Sequence, residues 1–430
     1  MEKTVNYPRF RWFVVATYVL VTVASAFALI SIAPLQVEVA RTIGLDMGIT
    51  VGIVMGTFNL LVALGAITGG AIIDRFGLVR VWFGCLGLLI LGAVLTPLIG
   101  DTPKGITFVR IIQGAGTGPI MGCVPALAAQ WFPAKERGIV AGLQGLAMGI
   151  GVTVGIVLGP MLAHLTGSWQ TGLFWEGVFS SVIAFILVVI VALGPKPPVT
   201  HSVGKEENLS EITAEVKLAL AQPTTWIAVI CNFGLTWIFQ AFNDLTPVYL
   251  SVDPPVGLGK GAIGSGQMFS LVSFIFMIGA VSGGFITEKL FKGREKPVIM
   301  MGYIVSCAAA YSLRVAGIVA NDTSLLIALV LFGFFSSLIQ PQVMAFISKH
   351  YPEHITGKVG GIVYGISVFG GVAGVATGAA ALHATGQYIV SITIVAGVCV
   401  VGAIATSFLS PPQVYSQVNN EQSAFGEIQR

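Results

Sequence analysis

Apolar residues run along this chain in long unbroken blocks, separated by short polar breaks rich in glycine, proline and charge. A block of about 20 apolar residues is enough to cross a hydrocarbon core of about 30 Å as an α-helix. The blocks do not alternate with a period of two, which argues against a membrane β-barrel. Twelve spans are predicted, over 11–34, 49–72, 79–99, 105–131, 139–164, 173–194, 225–250, 263–288, 297–318, 323–347, 358–383 and 388–410. The longest polar stretch, 195–224, divides them six and six. The expected organisation is therefore a first six-helix bundle over 1–194, a cytoplasmic linker over 195–224, a second bundle over 225–410 and a cytoplasmic tail over 411–430. Within the linker, Leu209, Ile212, Val216 and Leu220 recur at helical spacing. That pattern suits either a helix lying on the membrane surface or a solvated linker helix.

Composition agrees with the pattern: 55% of residues are hydrophobic and 10% charged, against about a quarter charged in soluble domains. The fold class expected is an all-α membrane protein. Of the 22 lysines and arginines, only Arg41, Lys104 and Lys260 fall in the loops opposite the N-terminus, and Arg110 and Arg314 lie within spans. The remainder sit on the N-terminal side, which predicts a multi-pass cell-membrane protein with both termini in the cytoplasm. The five cysteines all lie in apolar runs and read as packing residues, not as disulfides or metal ligands. The first apolar segment is too long for a cleavable leader. Neither a metalloprotease helix, a phosphate-binding loop nor a nucleophile elbow is present, so an enzyme, a resident cofactor and direct ATP drive are not expected. Nucleic acid is not expected as a partner either.

The chain also repeats itself. One constant offset superposes Pro133 on Pro352, Gly151 on Gly370, Gly155 on Gly374, Gly159 on Gly378 and His164 on His383, and a slightly different one superposes Gly69, Gly70 and Asp74 on Gly283, Gly284 and Glu288. Two parallel-repeat halves flanking a midplane site are a known transporter layout.

Three motifs fall in order on this frame. Gly70, Asp74, Arg75, Gly77 and Arg80 lie between the second and third spans. Arg110, Gln113, Gly114 and Gly116 lie in the fourth, and Gly151, Gly155, Gly159 and Pro160 in the fifth. In these the chain resembles the major facilitator superfamily, and the resemblance covers essentially all twelve spans. It implies that family's fold, two pseudo-symmetric six-helix bundles. It also implies a cytoplasmic gate at Asp74, Arg75, Gly77 and Arg80, with Glu288 and Lys289 as a less regular second copy. The fifth-span motif is associated in the family with antiport, though small residues four apart also serve close helix packing. The eleventh span repeats the glycines but has Ala379 in place of Pro160.

By the same resemblance the cavity is lined by spans 1, 4, 7 and 10. Span 7 carries Asn232, Thr236, Gln240, Asn243, Asp244 and Pro247 at three- and four-residue steps, hence on or near one face. Tyr18, Thr22 and Ser25 in span 1, Gln113 and Thr117 in span 4, and Ser336 and Gln340 in span 10 form comparable stripes. Polar stripes in a spanning helix face protein or water rather than lipid. Arg110 and Asp244 are the two charges expected inside. They either pair across the halves, or act separately, Arg110 binding a substrate carboxylate and Asp244 taking up a proton. Alternatively Arg110 only holds helices together and Asp244 snorkels outward. Glu176 and Arg314 are expected to reach the interface.

The function these features predict is secondary active transport by alternating access. Its substrate is a small polar organic solute, preferably an organic anion such as a carboxylate, and its partners are protons or a counter-substrate. The transporter is expected to work as a monomer in the lipid bilayer. An efflux antiporter for amphiphilic compounds is the alternative, and a non-transporting sensor a more distant one.

Overall fold

A computed structural model describes residues 7–133, 136–198 and 209–412, and every element in them is helical. The first predicted span is α1 (Arg11–Ile30), which ends before Pro34; a 3-10 turn over Ala33–Leu35 leads into α2 (Gln36–Ile43). This second short helix occupies what the sequence pattern marks as loop. Then follow α3 (Met47–Val51), a π-helical turn over Gly52–Gly56, α4 (Thr57–Phe76), α5 (Leu78–Ile99), α6 (Pro103–Met121), α7 (Val124–Trp131), α8 (Arg137–Thr166) and α9 (Trp169–Leu193). Gly77, with φ +84°, makes the turn from α4 into α5 in a conformation that other residues resist. The fourth predicted span is thus two helices, broken after Pro119 and Gly122.

The linker does form a helix, α10 (Leu209–Ala221), whose side chains are described only from position 214. The remaining helices are α11 (Pro223–Ser251), α12 (Gly261–Leu290), α13 (Glu295–Ser312), α14 (Ala316–Val319), α15 (Asp322–Ser337), α16 (Ile339–His350), α17 (Glu353–Thr385) and α18 (Tyr388–Ser407). Among the described residues, 10 helical segments are long and apolar enough to cross a membrane. The other two predicted spans, at α6 with α7 and at α13, are helical as well. Lys104 and Arg110 lower the hydropathy of α6, and Glu295 and Lys296 that of α13.

The chain divides into two compact units. The first comprises Met1–Gly204, Gln240–Met277 and Val375–Ser391, and the second Lys205–Phe239, Ile278–Gly374 and Ile392–Arg430. In the first, α4 packs on α6, α5 on α6 and α9, and α1 on α8 and α9. Its core includes Tyr18 stacked on Trp82 at 5.6 Å between ring centroids. Glycines make the close approach of α1 and α8 possible: a Cβ at Gly151 would lie 2.5 Å from the Ala26 Cβ, and one at Gly159 2.7 Å from the Ser31 carbonyl oxygen. In the second unit, α17 lies against α11 in the same manner, with Gly370 against Phe233 and Gly374 against Trp237. The repeat visible in the sequence is therefore a repeat of helix contacts. In that unit α13 packs on α15 and α16.

Candidate functional site

Arg110 lies in mid-α6 and is 2% exposed. Its guanidinium is held on two of its nitrogens: Nε donates to the Val54 carbonyl at 2.7 Å, and Nη1 to the Ala28 carbonyl at 2.7 Å and to Gln113 Oε1 at 2.9 Å, while Nη2 faces Met55 Sδ at 4.0 Å. The ring of Phe58 lies 4.1 Å beneath it. Val54 belongs to the π-helical turn, where the i→i+4 ladder is interrupted; such turns recur at functional sites. Arg110 thus ties α1, the π turn and α6 into one body, as a helix-holding role requires. The carbonyls carry no full charge, so the guanidinium keeps its positive charge uncompensated by direct contact.

Asp244, on α11, is fully buried, which excludes outward snorkelling. Gln240 Nε2 donates to both of its carboxylate oxygens, at 3.1 and 3.2 Å, and Asn59 Nδ2 donates to Oδ2 at 2.9 Å. Arg110 and Asp244 interact electrostatically, yet among the described residues no ion pair joins them. The first unit therefore assembles a carboxylate, two neutral amides and a nearby cation in a buried place. Asn59 was not among the residues singled out by the sequence. Its signal was there, a lone amide inside the apolar run Phe58 to Ile67.

Other predicted lining residues are also placed. Tyr18 donates its hydroxyl to the Ile120 carbonyl at 2.9 Å. Thr22 and Thr117 are buried, and their hydroxyls have no hydrogen-bond partner among the described residues. Asn243 is 7% exposed, beside Asp244 in the chain. Ser336 and Gln340 belong to the second unit. The Ser336 hydroxyl turns back to the Gly333 carbonyl at 3.2 Å, and Gln340 hydrogen-bonds Tyr364.

Of the gate residues, Arg75, Gly77 and Arg80 are exposed, with Arg75 over the Phe76 ring. The side chain of Asp74 lies outside the described set. In the second copy Glu288 and Lys289 are exposed, and the longer loop turns through Lys292 and Gly293, both at positive φ. Arg314 is exposed, as expected.

Glu176 corrects an expectation. Instead of reaching the interface it is 4% exposed and accepts a 2.7 Å hydrogen bond from the Ser31 hydroxyl. The reason is packing: a Cβ at Gly172 would lie 2.6 Å from Ala163 Cα and one at Gly177 2.8 Å from Ala93 Cβ. These two glycines let α9 press into its neighbours and carry Glu176 inward.

At the end of the first unit that holds the α2–α3 turn, Asp46 caps α3 through Oδ1, receiving N–H bonds from Gly48 at 2.9 Å and Ile49 at 3.1 Å. Its other oxygen lies 3.1 Å from His383 Nδ1 on α17. The carboxyl sits below the usual carboxylate range. Desolvation, the largest single effect, opposes this, but the Ile49 N–H, His383 and the Gly48 N–H together outweigh it and favour the charged form. A Cβ on Gly48 would be 2.6 Å from His383 Cα, so the two segments touch through backbone. His383 is thus engaged in a specific contact as well as in the repeat. His164, its counterpart, is exposed.

Residues 18–316 and 292–428 match the family model described as Major Facilitator Superfamily. The "Probable galactarate/D-glucarate transporter GudP" of Escherichia coli (strain K12) is 24% identical over 378 residues, 79% of this chain and 79% of that protein. The "Hexuronate transporter" of Bacillus subtilis (strain 168) is 22% identical over 365 residues, 82% of this chain and 84% of that one. Among solved structures, the fold matches a bacterial homolog of the human lysosomal transporter Spinster, in an inward-facing and occupied conformation. The TM-score is 0.75 at 13% identity, covering 95% of this chain and 98% of that one.

Proposed function

This chain belongs to the major facilitator superfamily and is a multi-pass membrane transporter, not an enzyme, and from that premise we propose that its substrate is a small organic anion bearing carboxylate groups. It crosses by alternating access between halves 1–194 and 225–410, joined by the linker 195–224, with protons or a counter-substrate as the coupled species. Both termini, with the tail 411–430, face the cytoplasm of a monomer in the cell membrane, in line with the lysine and arginine bias.

The observation that carries this reading is the buried carboxylate of Asp244, held by Asn59 and Gln240 beside the charge of Arg110. A place that accepts a carboxylate from its own chain has the donors to accept one from a substrate. When α11 withdraws, the substrate carboxylate takes over Asn59 and the field of Arg110, while Asp244 takes up a proton. Leaving an ionised carboxylate without donors in a low-dielectric interior is costly. Galactarate, glucarate and hexuronate, the substrates in the relatives' names, are all carboxylates. Tyr18, Thr22, Gln113 and Thr117 from the first half and Gln240, Asn243, Ser336 and Gln340 from the second supply neutral hydrogen-bonding groups for hydroxyls. Asp74, Arg75, Gly77 and Arg80, with Glu288 and Lys289, act at the cytoplasmic face as the inner latch. Gly151, Gly155, Gly159 and Pro160 set the packing of α8.

The test is uptake of radiolabelled D-glucarate and galacturonate into proteoliposomes. Saturable uptake, competed by carboxylates and not by the corresponding neutral sugars, is expected. Transport of neutral sugars or of cationic amphiphiles in their place overturns the reading.

A further inference from the structure

Glu176 lines a small, partly open cavity of the first unit, about 30 Å³ in volume, with Thr96 from α5, Arg110 and Gln113 from α6 and Ser181 from α9. A volume of this size holds on the order of one or two water molecules, and these polar groups would hydrogen-bond them. Among the described residues the carboxyl itself has one side-chain donor, the Ser31 hydroxyl at 2.7 Å. An ionised carboxylate offers about four acceptor sites, whereas the protonated group supplies a donor of its own. Of the charged groups on the helices packed around Glu176, Arg110 is the one that lines the same cavity, and it is engaged with Val54, Ala28 and Gln113. The facing positions of α5 are apolar or hydroxyl, among them Leu89, Ala93 and Thr96, and α8 brings glycine.

The glycines of the fifth predicted span stand directly behind this group. A Cβ at Gly155 would lie 2.9 Å from Ser31 Oγ, and one at Gly159 2.8 Å from Ser31 Cβ. The motif therefore seats the hydroxyl that holds Glu176, a task distinct from helix packing in general.

We propose that Glu176 is a second proton-binding site of the transport cycle, housed inside the first six helices and held by Ser31, which Gly155 and Gly159 position. The inference rests on the carboxylate reading for its charge balance. Galactarate and glucarate are dicarboxylates, dianions when ionised. One proton on Asp244 and one on Glu176 carry a dianion across with no net charge; with Glu176 removed, one proton accompanies the dianion and one negative charge moves.

Two measurements test this. In the first, the purified protein is titrated without substrate: Glu176→Gln takes up one proton fewer per molecule than the wild type across the pH range of transport. In the second, proteoliposomes loaded with a pH dye are given D-glucarate under an imposed potassium diffusion potential. The wild type moves two protons per D-glucarate and ignores the potential. Glu176→Gln moves one and responds to the potential, and Glu176→Asp, which keeps the carboxyl, restores the wild-type ratio. Gly155→Ala, which pushes Ser31 aside, shifts the titration. Unchanged proton uptake in Glu176→Gln overturns the proposal, as does a wild-type ratio in that variant. If D-glucarate is not carried, the carboxylate reading fails on flux while the titration still decides Glu176.

Discussion

Asn59 on α4 donates a 2.9 Å hydrogen bond to Asp244 on α11, across 185 residues of sequence, with both side chains buried. Removing Asn59 leaves Asp244 with Gln240 as its remaining amide donor and loses a hydrogen bond to a charged group, at about 1.5–3 kcal/mol. Asn59→Leu is therefore expected to lower the melting temperature of the detergent-purified protein. Replacing both ends with apolar groups removes the under-satisfied carboxylate, so Asn59→Leu with Asp244→Leu should be more stable than Asn59→Leu alone. Simple additivity of the two changes would deny the coupling.

Asp244→Asn keeps the size of the side chain and loses the titrating group. Acid-driven uptake of D-glucarate is expected to fall to what the one proton on Glu176 drives, while counterflow exchange continues. If both are lost, Asp244 serves binding or gating instead of proton coupling.

Arg110 satisfies two backbone carbonyls and Gln113 at once. Arg110→Ala leaves those carbonyls buried and unpaired, at roughly 1–3 kcal/mol each, so lost uptake should come with a lower melting temperature. Arg110→Lys should not rescue it, because an ammonium cannot reproduce the planar fork of donors. Saturable uptake at wild-type rate in Arg110→Lys would contradict this account.

Asp46 and His383 give a pH-dependent contribution whose sign follows from Asp46. A carboxyl held below its ordinary range adds stability above the unfolded value, and that stability is lost as pH falls through the folded value. The melting-temperature gap between wild type and Asp46→Asn should be full at neutral pH and close below about pH 4. The pair is largely exposed, so the gap is small and shrinks further in salt. A gap that widens on acidification would reverse the assignment.

Glycines on the same helix should respond with opposite signs. At Gly151 a methyl meets Ala26, and overpacking costs about 1–3 kcal/mol. At Gly145 nothing lies within 4 Å, and alanine is worth up to about 1 kcal/mol more than glycine inside a helix. Thermal melting of Gly151→Ala and Gly145→Ala separates a packing glycine from a spare one; a gain in both would show that the α1–α8 contact tolerates the extra methyl.

The sequence by itself determined the class of protein and the places of most of its long helices. Uninterrupted apolar blocks leave the backbone no way to be satisfied in lipid except as helices, and the glycine repeat already marked the surfaces by which α8 meets α1 and α17 meets α11. It also singled out Arg110 and Asp244, since charge within an apolar block stands out in one dimension. Tertiary structure alone decided what those charges touch. Asn59 comes to Asp244 from a helix far back in the chain, a π turn offers Arg110 the carbonyl of Val54, and two glycines draw Glu176 away from the interface onto Ser31. Hydrophobic periodicity records how buried a position is. It does not record which groups meet there, because those partners are chosen by helix packing between residues distant in the chain.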